Sequence, residues 1–136
     1  MRGILSDVNS EGHLDRILAV WQTSPDWTLV WTELDLIVET FNSLGLAGRT
    51  PDNQLWRLCQ QEELILITGN RNQDGPTSLE SVIREENSPQ SLPVITLANS
   101  KRVIAHRGYA EVTAIRILEI LIDMPRLLGS GRLYAP

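Results

Sequence analysis

The chain has 136 residues, 42% of them hydrophobic, with nine glycines and a single cysteine. Adding the glycines brings the apolar share to about half, the ordinary globular proportion, and a domain of this size buries roughly two-thirds of its unfolded surface without a disulfide or structural metal. The lone Cys59 excludes an internal disulfide framework and a four-thiolate zinc site, and no apolar run approaches the ~20 residues of a membrane-spanning helix. Twelve Lys+Arg against 17 Asp+Glu give a net charge of −5, which disfavours attraction to nucleic acid over the whole surface but leaves room for a local basic groove. The N-terminus lacks a basic start followed by an apolar stretch and a small-residue cleavage site, so a cytoplasmic location is expected.

In chain order, Gly3-Ile4-Leu5 reads as a short apolar strand, and the polar stretch Ser6 to Ser10 is rich in helix-capping residue types. Leu14, Ile17, Leu18 and Trp21 then recur at helical spacing, with a stop at Thr23-Ser24-Pro25-Asp26. Trp27 to Trp31 has the β-branched and aromatic content of a second strand. Thr32, with Asp35 three residues on, predicts a helix through Leu34, Ile37, Val38 and Phe41 that ends at Leu44 to Gly48. Thr50-Pro51-Asp52-Asn53 predicts another helix start, the threonine accepting from exposed amides and Leu55, Leu58 and Cys59 facing inward.

Leu64 to Thr68 is a continuous apolar run suited to a central strand covered on both faces. A dense polar loop, Gly69 to Pro76, leads to a short helix through Leu79, Val82 and Ile83. Pro93 to Leu97 is the fourth strand, and the longest helix runs from about Tyr109 to Asp123, with Val112, Ile115, Leu118 and Ile122 on a broad apolar face. Residues 1–125 are expected to form one domain, with 126–136 as a C-terminal extension carrying no clear element. Strands alternating with helices predict an α/β fold: a three-layer α/β/α sandwich around a mostly parallel sheet of four or five strands.

Ligands of such sheets gather at the carboxyl ends of the strands, where strand order reverses. Asp7 and Asn9 follow the first strand; Asn70, Arg71, Asn72 and Asp74 follow the third. Carboxylates from Asp7, Asp74 and Asp52, with amide oxygens from Asn70 or Asn72, are the hard oxygen donors that Mg²⁺ and Mn²⁺ prefer. Asp and Asn are also common at turns and caps, where they bond nearby backbone, so the signal lies in their joint placement. Arg71, with Arg49, Arg102 and Arg107 near the same rim, suits phosphate oxygens. His13 lies just past the Asp7 loop, and His106 stands between elements. The run Asn70 to Gly75 has oxygen side chains at alternate positions like a calcium loop, but position twelve is Ser81 and a buried strand precedes it, which argues against an EF-hand.

The order Ile4-Leu5-Ser6-Asp7-Val8-Asn9, then Thr50-Pro51-Asp52-Asn53-Gln54, then Leu66-Ile67-Thr68-Gly69-Asn70-Arg71-Asn72 resembles small PIN-like proteins, relatives of the toxin components of bacterial toxin–antitoxin pairs. The family pattern is a strand-end Asp, an Asp opening a helix and a Thr-x-Asp-x-Asp loop; it covers about the first 85 residues. The resemblance implies a three-layer α/β fold and a metal-dependent ribonuclease with Asp7, Asp52 and Asp74 as catalytic and metal-holding acids, Mg²⁺ or Mn²⁺ as cofactor, and RNA as substrate. Asn9, Asn70, Arg71 and Asn72 would position water, ligand or phosphate. Asp7 and Asp52 match the family's acids, whereas Asn70 and Asn72 stand where the pattern has aspartates. The alternative is a non-catalytic PIN-like module that acts by self-association or by binding an antitoxin-like protein, using the tryptophans Trp21, Trp27, Trp31 and Trp56, the helix expected at Leu34 to Phe41, or the C-terminal stretch.

Overall fold

Short apolar runs bounded by turn-forming residues make strands buried on both faces, and three of them form the centre of one sheet. The computed structural model describes residues 1–69 and 75–136. β1 (Gly3–Ser6), β3 (Leu64–Thr68) and β4 (Val94–Leu97) lie side by side, flanked by β2 (Ile37–Glu39) next to β1 and β5 (Arg132–Ala135) next to β4. All pairings are parallel, in the order β2-β1-β3-β4-β5.

Successive side chains of a strand point to opposite faces, and β3 divides its residues accordingly. Ile65 and Ile67 join Ile4, Ile95 and Leu97 on one face, where Leu14, Ile17 and Trp21 of α1 (Glu11–Thr23) pack. Leu64 and Leu66 join Leu5 and Val94 on the other, beneath Leu55, Trp56 and Cys59 of α3 (Asp52–Gln61) and Leu79 and Val82 of α4 (Leu79–Glu86). The first face also carries α2 (Thr28–Leu34), α5 (Ser100–Ala105), α6 (Arg107–Ile122) and α7 (Met124–Leu127), each contributing apolar side chains to that core or its margin. The result is the expected three-layer α/β/α sandwich. No helix among the described residues is long and apolar enough to cross a membrane.

Several expectations are overturned. Trp27 to Trp31 is not a strand: Trp27 precedes α2, and Trp27, Val30, Trp31 and Leu34 pack their partly buried sides against the core. Their spacing is i, i+3, i+4, i+7, a helical stripe that a five-residue window reads as β-branched and aromatic content. Trp31 also stacks on Trp21, with ring centroids 4.6 Å apart. The helix expected at Leu34 to Phe41 is instead the end of α2 followed by β2. Asp35 takes a left-handed conformation (φ 49°) at the end of α2, which an Asp tolerates better than most residues, and the β-branched Ile37 and Val38 then extend beside β1.

Residues 129–136, expected to carry no element, include β5. Gly129 and Gly131 sit at φ +83° and +79°, and between them the chain turns back so that Arg132 pairs with Val94 and Ala135 with Leu97. Arg132 secures this edge: its Nη1 donates to Thr96 Oγ1 at 2.5 Å and its Nε lies 3.4 Å from Glu80. α5 also lies in a stretch where no helix was expected. In α6, Val112 and Ile122 face solvent, 53% and 50% exposed, while Ala110, Ala114, Ile117, Leu118 and Leu121 are buried. Apolar residues surround this helix, so periodicity alone does not choose a side. The small Ala114 lies against α1, its carbonyl accepting from Trp21 Nε1 at 2.8 Å.

Gly3 carries the close β1–β2 approach. A methyl group there would overlap the Ile37 carbonyl oxygen and Cγ1. Gly3→Ala is therefore expected to cost about 1–3 kcal/mol, the usual range for overpacking. Hydrogen exchange should show this as faster exchange at Ile37, whose amide donates to Arg2 O.

Candidate functional site

The chain runs from β1 outward to β2, then crosses back over β1 to start β3 and continues to β4 and β5. The order therefore reverses between β1 and β3, and the crevice beyond their carboxyl ends is where ligands of open parallel sheets bind. β1 ends at Ser6 and β3 at Thr68, in a register that pairs Ser6 with Ile67 and so sets Asp7 beside Thr68.

Asp7 is held on both carboxylate oxygens. It precedes a 3-10 turn (Val8–Ser10), where its Oδ1 accepts from the Asn9 amide at 2.9 Å; its Oδ2 accepts from the buried Thr68 hydroxyl. A carboxylate oxygen has a second lone pair, so both oxygens keep acceptor capacity toward the crevice. Ser10 Oγ accepts from the Gly69 amide at 3.1 Å, which fastens the turn to the end of β3. A Cβ at Gly69 would lie 3.2 Å from Ser100 Oγ, tighter than ordinary contact, so α5 starts against the same strand end.

These elements enclose a cavity of about 360 Å³ lined by Asp7, Asn9, Ser10, Asp52, Gly69 and Ser100, with Phe41 and Leu55 as its apolar wall. Asp52 reaches it as the first residue of α3, where the helix dipole favours a carboxylate. Thr50 also lines the cavity but does not cap α3 as expected. Its hydroxyl donates back to Ala47 O at 2.6 Å, and Pro51 is the residue at the cap.

Of the expected site residues, Asp7, Asp52 and Asn9 therefore share one cavity. Asn70, Arg71, Asn72 and Asp74 lie outside the described residues. Among the described residues no group of three His, Cys, Asp or Glu side chains is placed to hold a metal, in keeping with two carboxylates on the cavity wall. Ser10 and Ser100 were not singled out from the sequence, and Thr68, the threonine of the Thr-x-Asp-x-Asp resemblance, was given no role there. Thr68 was readable in principle, because parallel pairing of the two apolar runs in this register sets it next to Asp7.

Basic residues stand close by. Arg49 lies between two cavity-lining residues, Gly48 and Thr50. α5 leaves the cavity at Ser100 and continues with the exposed Lys101 and Arg102, and Arg102, His106, Arg107 and Tyr109 line a shallow concavity of about 520 Å³. The Arg102 guanidinium sits 4.6 Å over the Tyr109 ring, and Arg107 pairs with Glu111 at 3.4 Å. No Asp or Glu occurs between Glu86 and Glu111, so the stretch that carries Lys101, Arg102 and Arg107 is basic in an acidic chain. His13 has a buried Nδ1 with no partner among the described residues. Cys59 is on the buried face of α3, and burial pushes its thiol up to about 12, which suits a packing role. A thiol-alkylating reagent at pH 8 is expected to leave it unmodified until denaturant is added.

Thr68→Val keeps the shape of a fully buried side chain and removes the donor that orients Asp7. Losing one hydrogen bond costs about 1 kcal/mol of stability, while losing an orienting partner typically weakens a metal site about 10–100-fold. A Mn²⁺ titration with a parallel thermal melt should separate the two effects.

Compared with family models, with characterised proteins and with solved structures, the chain shows no match.

Proposed function

We propose that this chain is a PIN-like, divalent-metal-dependent ribonuclease, a reading carried by one observation: Asp7 and Asp52, 45 positions apart in sequence, line one cavity at the strand-order reversal. The donors there are hard oxygens from carboxylate, amide and hydroxyl groups, the set that Mg²⁺ and Mn²⁺ prefer. The metal would supply Lewis acidity toward a phosphodiester and a water of lowered pKa. Asp7 and Asp52 would hold it, with Asp74, which follows β3 in the sequence, as the third acid. Asn9, Asn70 and Asn72 position water or ligand, and Arg71 meets phosphate. The exposed Lys101 and Arg102, on the helix that leaves the cavity at Ser100, favour a polyanionic substrate over a neutral one.

A second reading, a PIN-like module without catalysis, is favoured by Asn70 and Asn72. Each keeps an oxygen but removes a negative charge that the family pattern supplies. The experiment that separates the readings follows turnover of single-stranded RNA with Mg²⁺ or Mn²⁺, with a chelator control and Asp7→Asn purified in parallel. Metal-dependent cleavage lost in the variant supports the nuclease. Absence of turnover assigns the chain to the non-catalytic class, and turnover equal in the variant removes Asp7 from the reaction.

A further inference from the structure

The outer face of α6 carries a pattern that its own chain does not use. At 100° per residue, Val112, Ile115, Arg116, Glu119 and Ile122 fall on the side opposite the buried Ala114, Ile117 and Leu121. Val112 and Ile122 are half exposed despite being large and apolar. Toward the two ends of the helix, charges are paired within the chain, Arg107 with Glu111 at 3.4 Å and Asp123 with Arg126 at 3.6 Å. In the middle, Arg116 and Glu119 are exposed and have no ion pair among the described residues.

This row is complementary to itself. Two copies of α6 packed antiparallel about a two-fold axis bring residue i of one against residue j of the other with i and j equally far from the axis. The midpoint of Arg116 and Glu119 and the midpoint of Val112 and Ile122 differ by half a residue, under about 1 Å along the helix. One axis therefore brings Arg116 level with the second copy's Glu119, and Glu119 level with its Arg116, within reach of long side chains. The same axis brings each Val112 level with an Ile122 along the helix. A parallel arrangement would oppose like charges instead. Ile115 continues the face into a concavity of about 570 Å³ between the end of α1 and α6, which Trp27, Val20 and Arg16 also line.

The geometry points to the α6 outer face as a homodimer interface, closed by two reciprocal Arg116–Glu119 pairs between apolar Val112–Ile122 contacts. It leaves the cavity at Asp7 and Asp52 open, since none of these residues lines that cavity. One helix face is smaller than the roughly 800 Å² per partner of a standard stable interface, so association is weak and concentration-dependent. The inference does not rest on the nuclease reading.

Sedimentation velocity across a thousandfold concentration range tests it. The wild type is expected to shift from the mass of one chain toward twice that mass, with Val112→Glu and Ile122→Glu staying at one chain throughout. Arg116→Glu and Glu119→Arg are each expected to lose the dimer, and the double variant Arg116→Glu/Glu119→Arg to regain it. All four positions are at the surface, and far-UV circular dichroism reports whether each variant is folded. A wild type that stays monomeric overturns the proposal. So does a dimer that survives Val112→Glu, or a double variant that fails to recover while remaining folded.

Discussion

On the nuclease reading proposed above, Asp7→Asn is expected to lose RNA cleavage by more than about 100-fold, beyond the 10–100-fold typical of an orienting partner, with little change in fold. The geometry explains the separation. Asn keeps an oxygen to accept from the Asn9 amide, and its NH₂ group can donate to the Thr68 hydroxyl oxygen, which is able to accept in turn. The packing around the end of β1 is thus preserved, and its net change in stability is expected to stay within about 1 kcal/mol. What disappears is one of the two negative charges that the described residues place on the cavity wall. An amide is a weaker ligand for a hard divalent cation than a carboxylate, because it offsets none of the ion's charge. Turnover assays at matched protein and metal concentrations, with a melting curve for each protein, check both halves of this expectation. Equal turnover by variant and wild type would remove Asp7 from the reaction.

Trp21→Ala is expected to have the largest effect on stability, about 3–5 kcal/mol, the range for truncating a buried aromatic residue. Trp21 is fully buried between α1 and α6, donates to Ala114 O at 2.8 Å and stacks on Trp31. The truncation therefore opens a cavity, leaves the Ala114 carbonyl without that donor and removes one of the contacts that hold α2 to the core. A domain of this size has typically about 5–15 kcal/mol of stability in total, so the variant should lose much of its margin. Urea denaturation followed by circular dichroism would read this as a lower midpoint with an unchanged slope, since the area exposed on unfolding is nearly the same. A loss under about 1 kcal/mol would mean that Trp21 does not hold the α1–α6 layer as described.

The central strands and the site at their ends were legible because the information was local and strong. Leu64 to Thr68 is apolar at every position but its last, so it reads as a strand covered twice, and Asp7 follows the run Ile4-Leu5 with only Ser6 between. Asp52 was legible as a helix start. That it shares a cavity with Asp7 is a tertiary fact, and the path of the chain between them, through the edge strand β2, was concealed in the sequence behind an apparent helix at Leu34 to Phe41. The α2 and β2 segments were misread for one reason. A window of five residues shows content, and the deciding features were longer or conformational: a four-residue stripe from Trp27 to Leu34 and a left-handed Asp35. β5 was missed because four residues after two glycines carry no period; its pairing is fixed from outside, by β4 and by the Arg132 contacts. The inward face of α6 was set by which residues are small enough to meet α1, a tertiary choice.

The central claim is that Asp7 and Asp52 together hold a divalent cation in the cavity at the β1–β3 reversal. Calorimetric titration of Mn²⁺ into the wild type, Asp7→Asn and Asp52→Asn tests it without requiring the right RNA. Saturable binding to the wild type is expected below the millimolar range, lost in both variants while their melting temperatures stay near that of the wild type. Absence of binding to the wild type over that range, or equal binding to all three proteins, would contradict it.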